Sequence, residues 1–129
     1  MMRKVRPMKY VRVYTDDEGE SHFADVEVPL ALVEFAPPAP PLLLSPFTPA
    51  RQSAFLVLPA GWFGDWHPVP HRQWFFFLTG ELEVAVSDGE RRRFPAGSVA
   101  LVEDVDGRGH ATWNIAGGET AMAIVQVSE

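Results

Sequence analysis

Three histidines are the side chains of this sequence best suited to chemistry. His67 and His71 lie in the segment 61–73, and His110 lies well downstream, just after a glycine-rich stretch at 107–109. Imidazole nitrogens bind borderline metals such as zinc, iron(II) and nickel, and they also form hydrogen bonds with small molecules. Histidines placed at strand ends around one cavity would therefore form a metal site or the polar part of a ligand pocket.

Short strands are predicted along most of the chain, and they would have to position these histidines. Residues 9–14 and 23–28 alternate apolar and polar side chains, which is typical of half-buried strands. Further strands are predicted at 53–58, 74–78, 82–86, 91–94, 99–102, 110–116 and 121–127. Because turn residues separate them and no segment shows a helical period, the pattern predicts an antiparallel all-β sandwich or barrel.

The segment 36–49 interrupts this pattern with six prolines, which cannot donate to a sheet ladder. We interpret it as an extended surface connection. At 129 residues the chain is predicted to form one domain. Within it, residues 1–50 supply the N-terminal strands and the proline-rich connection, and residues 51–129 supply the barrel.

Composition excludes several function classes. A formal net charge of −6 argues against nucleic-acid binding, and the absence of cysteine excludes disulfides and thiolate metal sites. Residues 1–10 are charged and lack an apolar core, and prolines interrupt the apolar run at 30–44. We therefore expect a cytoplasmic protein with no membrane partner.

Two glycine- and histidine-containing motifs carry a resemblance to a known family. In the first, Gly61 is followed by five residues and His67, and six residues separate Gln73 from Gly80. This resembles the first motif of the cupins, with Val69 in the place of its second histidine and Gln73 in the place of its glutamate.

The second motif consists of Gly107, His110 and Asn114, with Val105 where the cupin motif usually has proline. Both motifs occur in order, so the chain resembles a single-domain cupin. The resemblance implies a double-stranded β-helix, or jelly-roll barrel, with additional N-terminal strands.

The resemblance implies an incomplete metal site. Its ligands would be His67, Gln73 and His110, a set without negative charge, because glutamine offers only a neutral amide oxygen. His71 could replace the missing ligand if the local register shifts, since Pro68 and Pro70 disturb the strand. We expect a divalent metal (zinc, iron, nickel or manganese) to be weakly held or absent.

A pocket for a small molecule is predicted between these motifs. A regular strand would place His67, Gln73 and every second side chain between and after them on one inward face. This face would lie opposite the strand that begins at His110. The predicted pocket residues are Trp62, Trp66, Val69, Phe75, Phe77, Thr112 and Asn114.

Four other polar side chains were weighed as candidates. His22 is interpreted as a surface or capping residue. Glu103, Asp104 and Asp106 precede His110 and could supply a carboxylate at the pocket mouth, but we interpret them as solvated loop residues.

Two functions of different classes are compatible with these features. One is a metal-assisted reaction on a small organic molecule, and the other is metal-free binding or sensing of a small metabolite. No particular reaction, catalytic residue or substrate is indicated. We also expect a homodimer that buries the N-terminal strands and the outward-facing Trp74 and Phe76.

Overall fold

The computed structural model describes residues 7–127, and this part of the chain forms twelve β-strands without a helix. The first six are β1 (Met8–Thr15), β2 (Ser21–Val28), β3 (Ala31–Val33), β4 (Leu42–Leu44), β5 (Gln52–Leu58) and β6 (Phe63–His67). The others are β7 (Gln73–Thr79), β8 (Glu81–Val86), β9 (Arg91–Pro95), β10 (Val99–Val102), β11 (His110–Asn114) and β12 (Thr120–Gln126). Accordingly, no helix in this described part is long and apolar enough to cross a membrane.

Two large sheets form the barrel. A six-stranded sheet has the order β2-β1-β10-β7-β12-β5, and a four-stranded sheet has the order β6-β11-β8-β9. All pairings are antiparallel except that of β1 with β10, which is parallel. From β5 to β12 the chain crosses from one sheet to the other at every step except the β8–β9 hairpin, as in a jelly roll. The predicted all-β jelly roll with added N-terminal strands is confirmed.

The core lies between the two sheets and follows from the period-two alternation of the strands. Val13 on β1 and Met122 on β12 face Val84 on β8 and Phe94 on β9, and each is buried. On β7 the alternation sends Phe75 and Phe77 inward, and it leaves Trp74 and Phe76 on the outer face. There the ring of Trp74 contacts Tyr10 edge-on, with 4.7 Å between centroids.

The proline-rich connection is more structured than predicted. Leu42–Leu44 forms β4, which pairs antiparallel with Ala31–Val33 in a separate two-stranded sheet. The prediction that this segment contains no strand was therefore wrong at these three leucines. They lie between Pro41 and Pro46, and they have the backbone N–H groups that proline lacks.

The segment from His67 to Phe77 is not the regular strand on which the predicted shared inward face depended. β6 ends at His67 in the four-stranded sheet, and β7 begins at Gln73 in the six-stranded sheet. Residues 68–72, with prolines at 68 and 70, connect the two sheets, because proline ends a ladder.

Candidate functional site

His67 and His110 lie directly opposite each other at one end of the four-stranded sheet. His67 is the last residue of β6 and His110 the first of β11, and the two are register partners in this antiparallel pair. Their ring centroids are 5.0 Å apart, with 52° between the ring planes. Two imidazoles that are distant in sequence thus share the mouth of the barrel.

Gly109 allows this close approach. It is buried and has φ of +73°, and a Cβ at this position would lie 2.1 Å from the carbonyl oxygen of His67. Only glycine adopts this left-handed conformation readily and also leaves room for the neighbouring backbone. The glycine before His110 therefore determines how closely the ends of β6 and β11 can meet.

Asp104 holds the ring of His110. Its side chain is completely buried, and Oδ2 lies 2.6 Å from Nδ1 of His110. The other carboxylate oxygen, Oδ1, is buried without a hydrogen-bond partner among residues 7–127. Our interpretation of Asp104 as a solvated loop residue was wrong, because this residue lies two positions after the end of the buried strand β10 and its side chain turns inward.

The two acidic neighbours of Asp104 differ from it. Glu103 forms ion pairs with Arg12 and Arg72, each with a shortest N–O distance of 2.5 Å. Asp106 is exposed, as expected for a loop residue. Of the three acidic residues before His110, Asp104 alone therefore reaches the imidazole.

Hydrogen bonds to both imidazoles determine which nitrogen is available. Nδ1 of His67 lies 2.7 Å from the carbonyl oxygen of Asp65, which can only accept, so this nitrogen carries the proton. Nδ1 of His110 likewise donates to the Asp104 carboxylate. In both neutral rings the lone pair is then on Nε2, and neither Nε2 has a hydrogen-bond partner within the described residues.

A cavity of about 150 Å³ extends inward from the two histidines. Most of its wall is apolar and is supplied by both sheets, with Phe75 and Phe77 on one side and Val84 on the other. Besides the histidines, Thr112 and Trp62 belong to the wall. The cavity is therefore an apolar chamber with its polar groups near one end.

Several predicted site residues lie elsewhere. Val69 is buried in the core, and its N–H donates to the carbonyl oxygen of Asp104 over 3.0 Å, but its side chain is not part of the cavity wall. Gln73 is buried and accepts a hydrogen bond from Gln126 over 3.2 Å. His71 is exposed in the 68–72 connection, and Trp66 is exposed on the outer surface.

Asn114 is buried but serves the fold. Its side-chain nitrogen donates to the carbonyl oxygens of Leu58, Pro59 and Gly118 over 2.8–3.2 Å. Its side-chain oxygen accepts a hydrogen bond from the hydroxyl of Thr120 over 2.8 Å. Both the nitrogen and the oxygen of the amide are therefore engaged, and they link the end of β11 to the neighbouring loops.

The residues at the mouth fit only part of a metal site. His67 and His110 each offer a free Nε2, but Val69 cannot ligate and the oxygen of Gln73 is engaged by Gln126. Within residues 7–127, no three His, Cys, Asp or Glu side chains come together in a group able to hold a metal ion. The structure thus provides two protein ligand positions.

Comparison with known proteins identifies the fold. The cupin domain of Cnp3 from Schizosaccharomyces pombe superposes with a TM-score of 0.52 and 15% identity, and the match covers 95% of this chain and 84% of that chain. No protein-family model and no curated protein matches the sequence.

Two bacterial structures match a smaller part of the chain. A cupin 2 conserved barrel domain protein from Salinispora arenicola is 26% identical, with a TM-score of 0.47, over 59% of this chain and 61% of that chain. A conserved protein of unknown function from Streptococcus pyogenes is 23% identical, with a TM-score of 0.47, over 61% and 68% of the respective chains. The chain thus spans less than two thirds of the Salinispora protein.

The fold and the paired histidines define the class of protein. The two-sheet jelly roll, with a histidine from each motif at one end, is the cupin fold, as the sequence motifs predicted. A shared fold does not indicate a shared activity, because one scaffold supports many chemistries.

Proposed function

We propose that the barrel binds a small, mainly apolar molecule that carries a hydroxyl group. The observation that carries this proposal is the pair of free Nε2 atoms at the mouth of an otherwise apolar cavity. Ligand pockets typically combine an apolar wall with a few placed polar groups that fix orientation. No reaction step follows from these residues, and the proposal is for binding.

The size of the cavity limits the ligand. Its volume is about 150 Å³. A cavity of about 150 Å³ engineered in another protein stays dry and binds benzene. A single six-membered ring, or a chain of similar volume, is therefore the largest body that fits without rearrangement of the wall.

The tautomer of the two histidines determines which polar group the ligand should carry. Because both Nδ1–H groups are already donated to Asp65 and Asp104, the neutral rings present acceptors at Nε2. A ligand that donates a hydrogen, such as a phenol, pairs with these acceptors. A ring without a donor fills the same volume and leaves both acceptors without a partner, which makes benzene the natural comparison.

Titration of the protein with phenol and with benzene, followed by calorimetry and NMR, tests the proposal. One hydrogen bond contributes about 0.5–1.5 kcal/mol net, so phenol should bind roughly 2- to 12-fold more tightly than benzene. His67→Phe keeps an aromatic ring but removes one of the two acceptors, and it should reduce this preference.

The matched control is His71→Phe, because His71 is also an exposed histidine but lies outside the cavity. This variant should bind phenol as the unmodified protein does. The proposal is wrong if neither compound binds, or if both variants retain the same preference for phenol.

A weakly held divalent metal is a second candidate, favoured by the Asp104–His110 hydrogen bond. Metal-ligating histidines usually donate their other N–H to a carboxylate or carbonyl, as His110 and His67 both do. His67 and His110 would hold the ion, and zinc, iron, nickel or manganese is compatible with imidazole ligands. Such an ion would polarise a bound oxygen atom.

Elemental analysis of protein purified without chelators, and calorimetry with zinc and nickel, separate the two candidates. Stoichiometric metal that is lost in both His67→Ala and His110→Ala supports the metal site. Parallel Gln73→Ala and His71→Ala variants determine whether either side chain supplies a third ligand. Metal-free protein that still binds phenol supports the first proposal alone.

A further inference from the structure

We propose that a second copy of this chain pairs with strand β5, edge to edge and antiparallel, so that the six-stranded sheet continues across a twofold axis. β5 is the last strand of that sheet and pairs only with β12 among the described strands. An edge strand presents a row of unpaired N–H and C=O groups, which is a template for another strand.

The other three sheet edges carry features that discourage pairing. β2 bears Asp25 and Glu27, and Arg92 from β9 forms an ion pair with Asp25 at 2.8 Å. β9 contains three arginines and ends at Pro95, and β6 has only five residues, one of them Asp65. Charges, proline and short length are the usual means of protecting an edge.

β5 has none of these features. Its seven residues, Gln-Ser-Ala-Phe-Leu-Val-Leu, include no charge and no proline. The outward side chain of Phe55 is 84% exposed and that of Val57 is 51% exposed. A long, uncharged and apolar edge is unusual in a protein that remains alone in water, and β5 is the single unprotected edge of the two large sheets.

Charge favours a second copy at this edge over any other surface of the same chain. Each copy has a net charge of −6, so most approaches of two copies are opposed by like charges. Antiparallel pairing of β5 with itself brings together two uncharged strands. It is also self-complementary, because a twofold axis places the same strand on both sides.

The size of this contact indicates a reversible dimer. Seven residues at about 3.3 Å each form an edge roughly 23 Å long. A contact between two single strands of this length covers a smaller area than the typical interface of about 800 Å² per partner. Phe55 would add a cross-strand aromatic contact near the axis. We therefore expect association in the micromolar range, with a dimer that dissociates on dilution.

The test uses two phenylalanines of nearly equal exposure. Phe55 on β5 is 84% exposed, and Phe47, which lies outside any strand, is 80% exposed. Lysine at either position should leave the fold intact, which circular dichroism checks. In sedimentation velocity, the unmodified protein and Phe47→Lys should dimerise, whereas Phe55→Lys should weaken the dimer at least about tenfold.

Hydrogen exchange locates the contact. Backbone amides within residues 52–58 should become more protected as the concentration of unmodified protein rises, and they should not do so in Phe55→Lys. A protein that stays monomeric, a Phe55→Lys variant that dimerises as before, or concentration-dependent protection of the outer face around Trp74 instead of β5 would each overturn the proposal.

Discussion

The carboxylate of Asp104 accepts a hydrogen bond from Nδ1 of His110 over 2.6 Å while its own side chain is completely buried. The second oxygen of the same carboxylate has no partner within the described residues. A buried carboxylate is costly unless it accepts hydrogen bonds. His110 therefore stabilises the buried carboxylate of Asp104, and Asp104 in turn orients the ring of His110.

Removal of His110 should destabilise the protein more than removal of His67. His110→Ala leaves the buried carboxylate of Asp104 without its hydrogen-bond donor, and we expect a loss of about 1–3 kcal/mol in the free energy of unfolding. His67→Ala removes a single exposed contact to a backbone carbonyl and should cost about 1 kcal/mol or less. Urea unfolding of both variants measures the difference, and equal losses would show that the Asp104 contact does not stabilise the fold.

Gly109→Ala should disrupt the approach of β6 and β11. The added Cβ would lie 2.1 Å from the carbonyl oxygen of His67, and the backbone has φ of +73°. We expect a loss of about 3 kcal/mol or more, from left-handed strain together with the steric overlap.

Gly117→Ala is the matched control for this substitution. Its φ is +79°, but a Cβ there meets no atom within 4 Å. Thermal unfolding should show only the conformational cost of about 1–2 kcal/mol. If the two variants lose the same stability, the close contact at Gly109 is not a constraint.

Ala100→Leu should fill the cavity. Ala100 is 3% exposed and belongs to the cavity wall, so the larger side chain can extend into empty space. We expect the unfolding free energy to change by less than about 1 kcal/mol, because burial offsets any strain. Phenol binding, followed by calorimetry, should be lost.

Ala85→Leu provides the comparison for Ala100→Leu. Ala85 is 5% exposed but is not part of the cavity wall, so the larger side chain does not have this cavity to extend into. Chemical denaturation should show a loss of about 1–3 kcal/mol. A similar loss in Ala100→Leu would contradict the presence of an empty chamber.

His22 should give the stability a pH dependence. Its two ring nitrogens lie 2.7 Å from Asp16 and 2.8 Å from Asp88. Hydrogen bonds to Asp16 and then Asp88 raise the pKa of His22 above its ordinary value of 6.5, although partial burial opposes the shift. Because the folded pKa is raised, this stabilisation is complete below pH 6.5 and is lost as the pH rises through the folded pKa.

Unfolding free energies of the unmodified protein and of His22→Gln, measured by urea between about pH 5 and pH 9, test this sign. The unmodified protein should be the more stable below pH 6.5, and the difference should shrink as the pH rises. Added salt should reduce the difference, because these groups are partly exposed. A difference that grows with pH would contradict the assignment.

Much of the fold was predictable because it depends on local patterns. The alternation at residues 9–14 and 23–28 follows from burial of one strand face, and the structure has β1 and β2 there. The inward direction of Phe75 and Phe77 likewise follows from the period of a strand. The strand at 42–44 was not predicted, because three leucines are too short a pattern to indicate a strand among so many prolines.

The sequence alone determined the two motifs, the all-β class and the types of side chain available for chemistry. The tertiary structure decided that His67 and Gln73 lie on different sheets, that Asp104 turns inward to His110, and that Gln73 pairs with Gln126. The physical reason is that strand periodicity is a property of adjacent residues. Contacts between strands depend instead on register and on where the 68–72 connection crosses from one sheet to the other, and these are determined by the packing of the whole barrel.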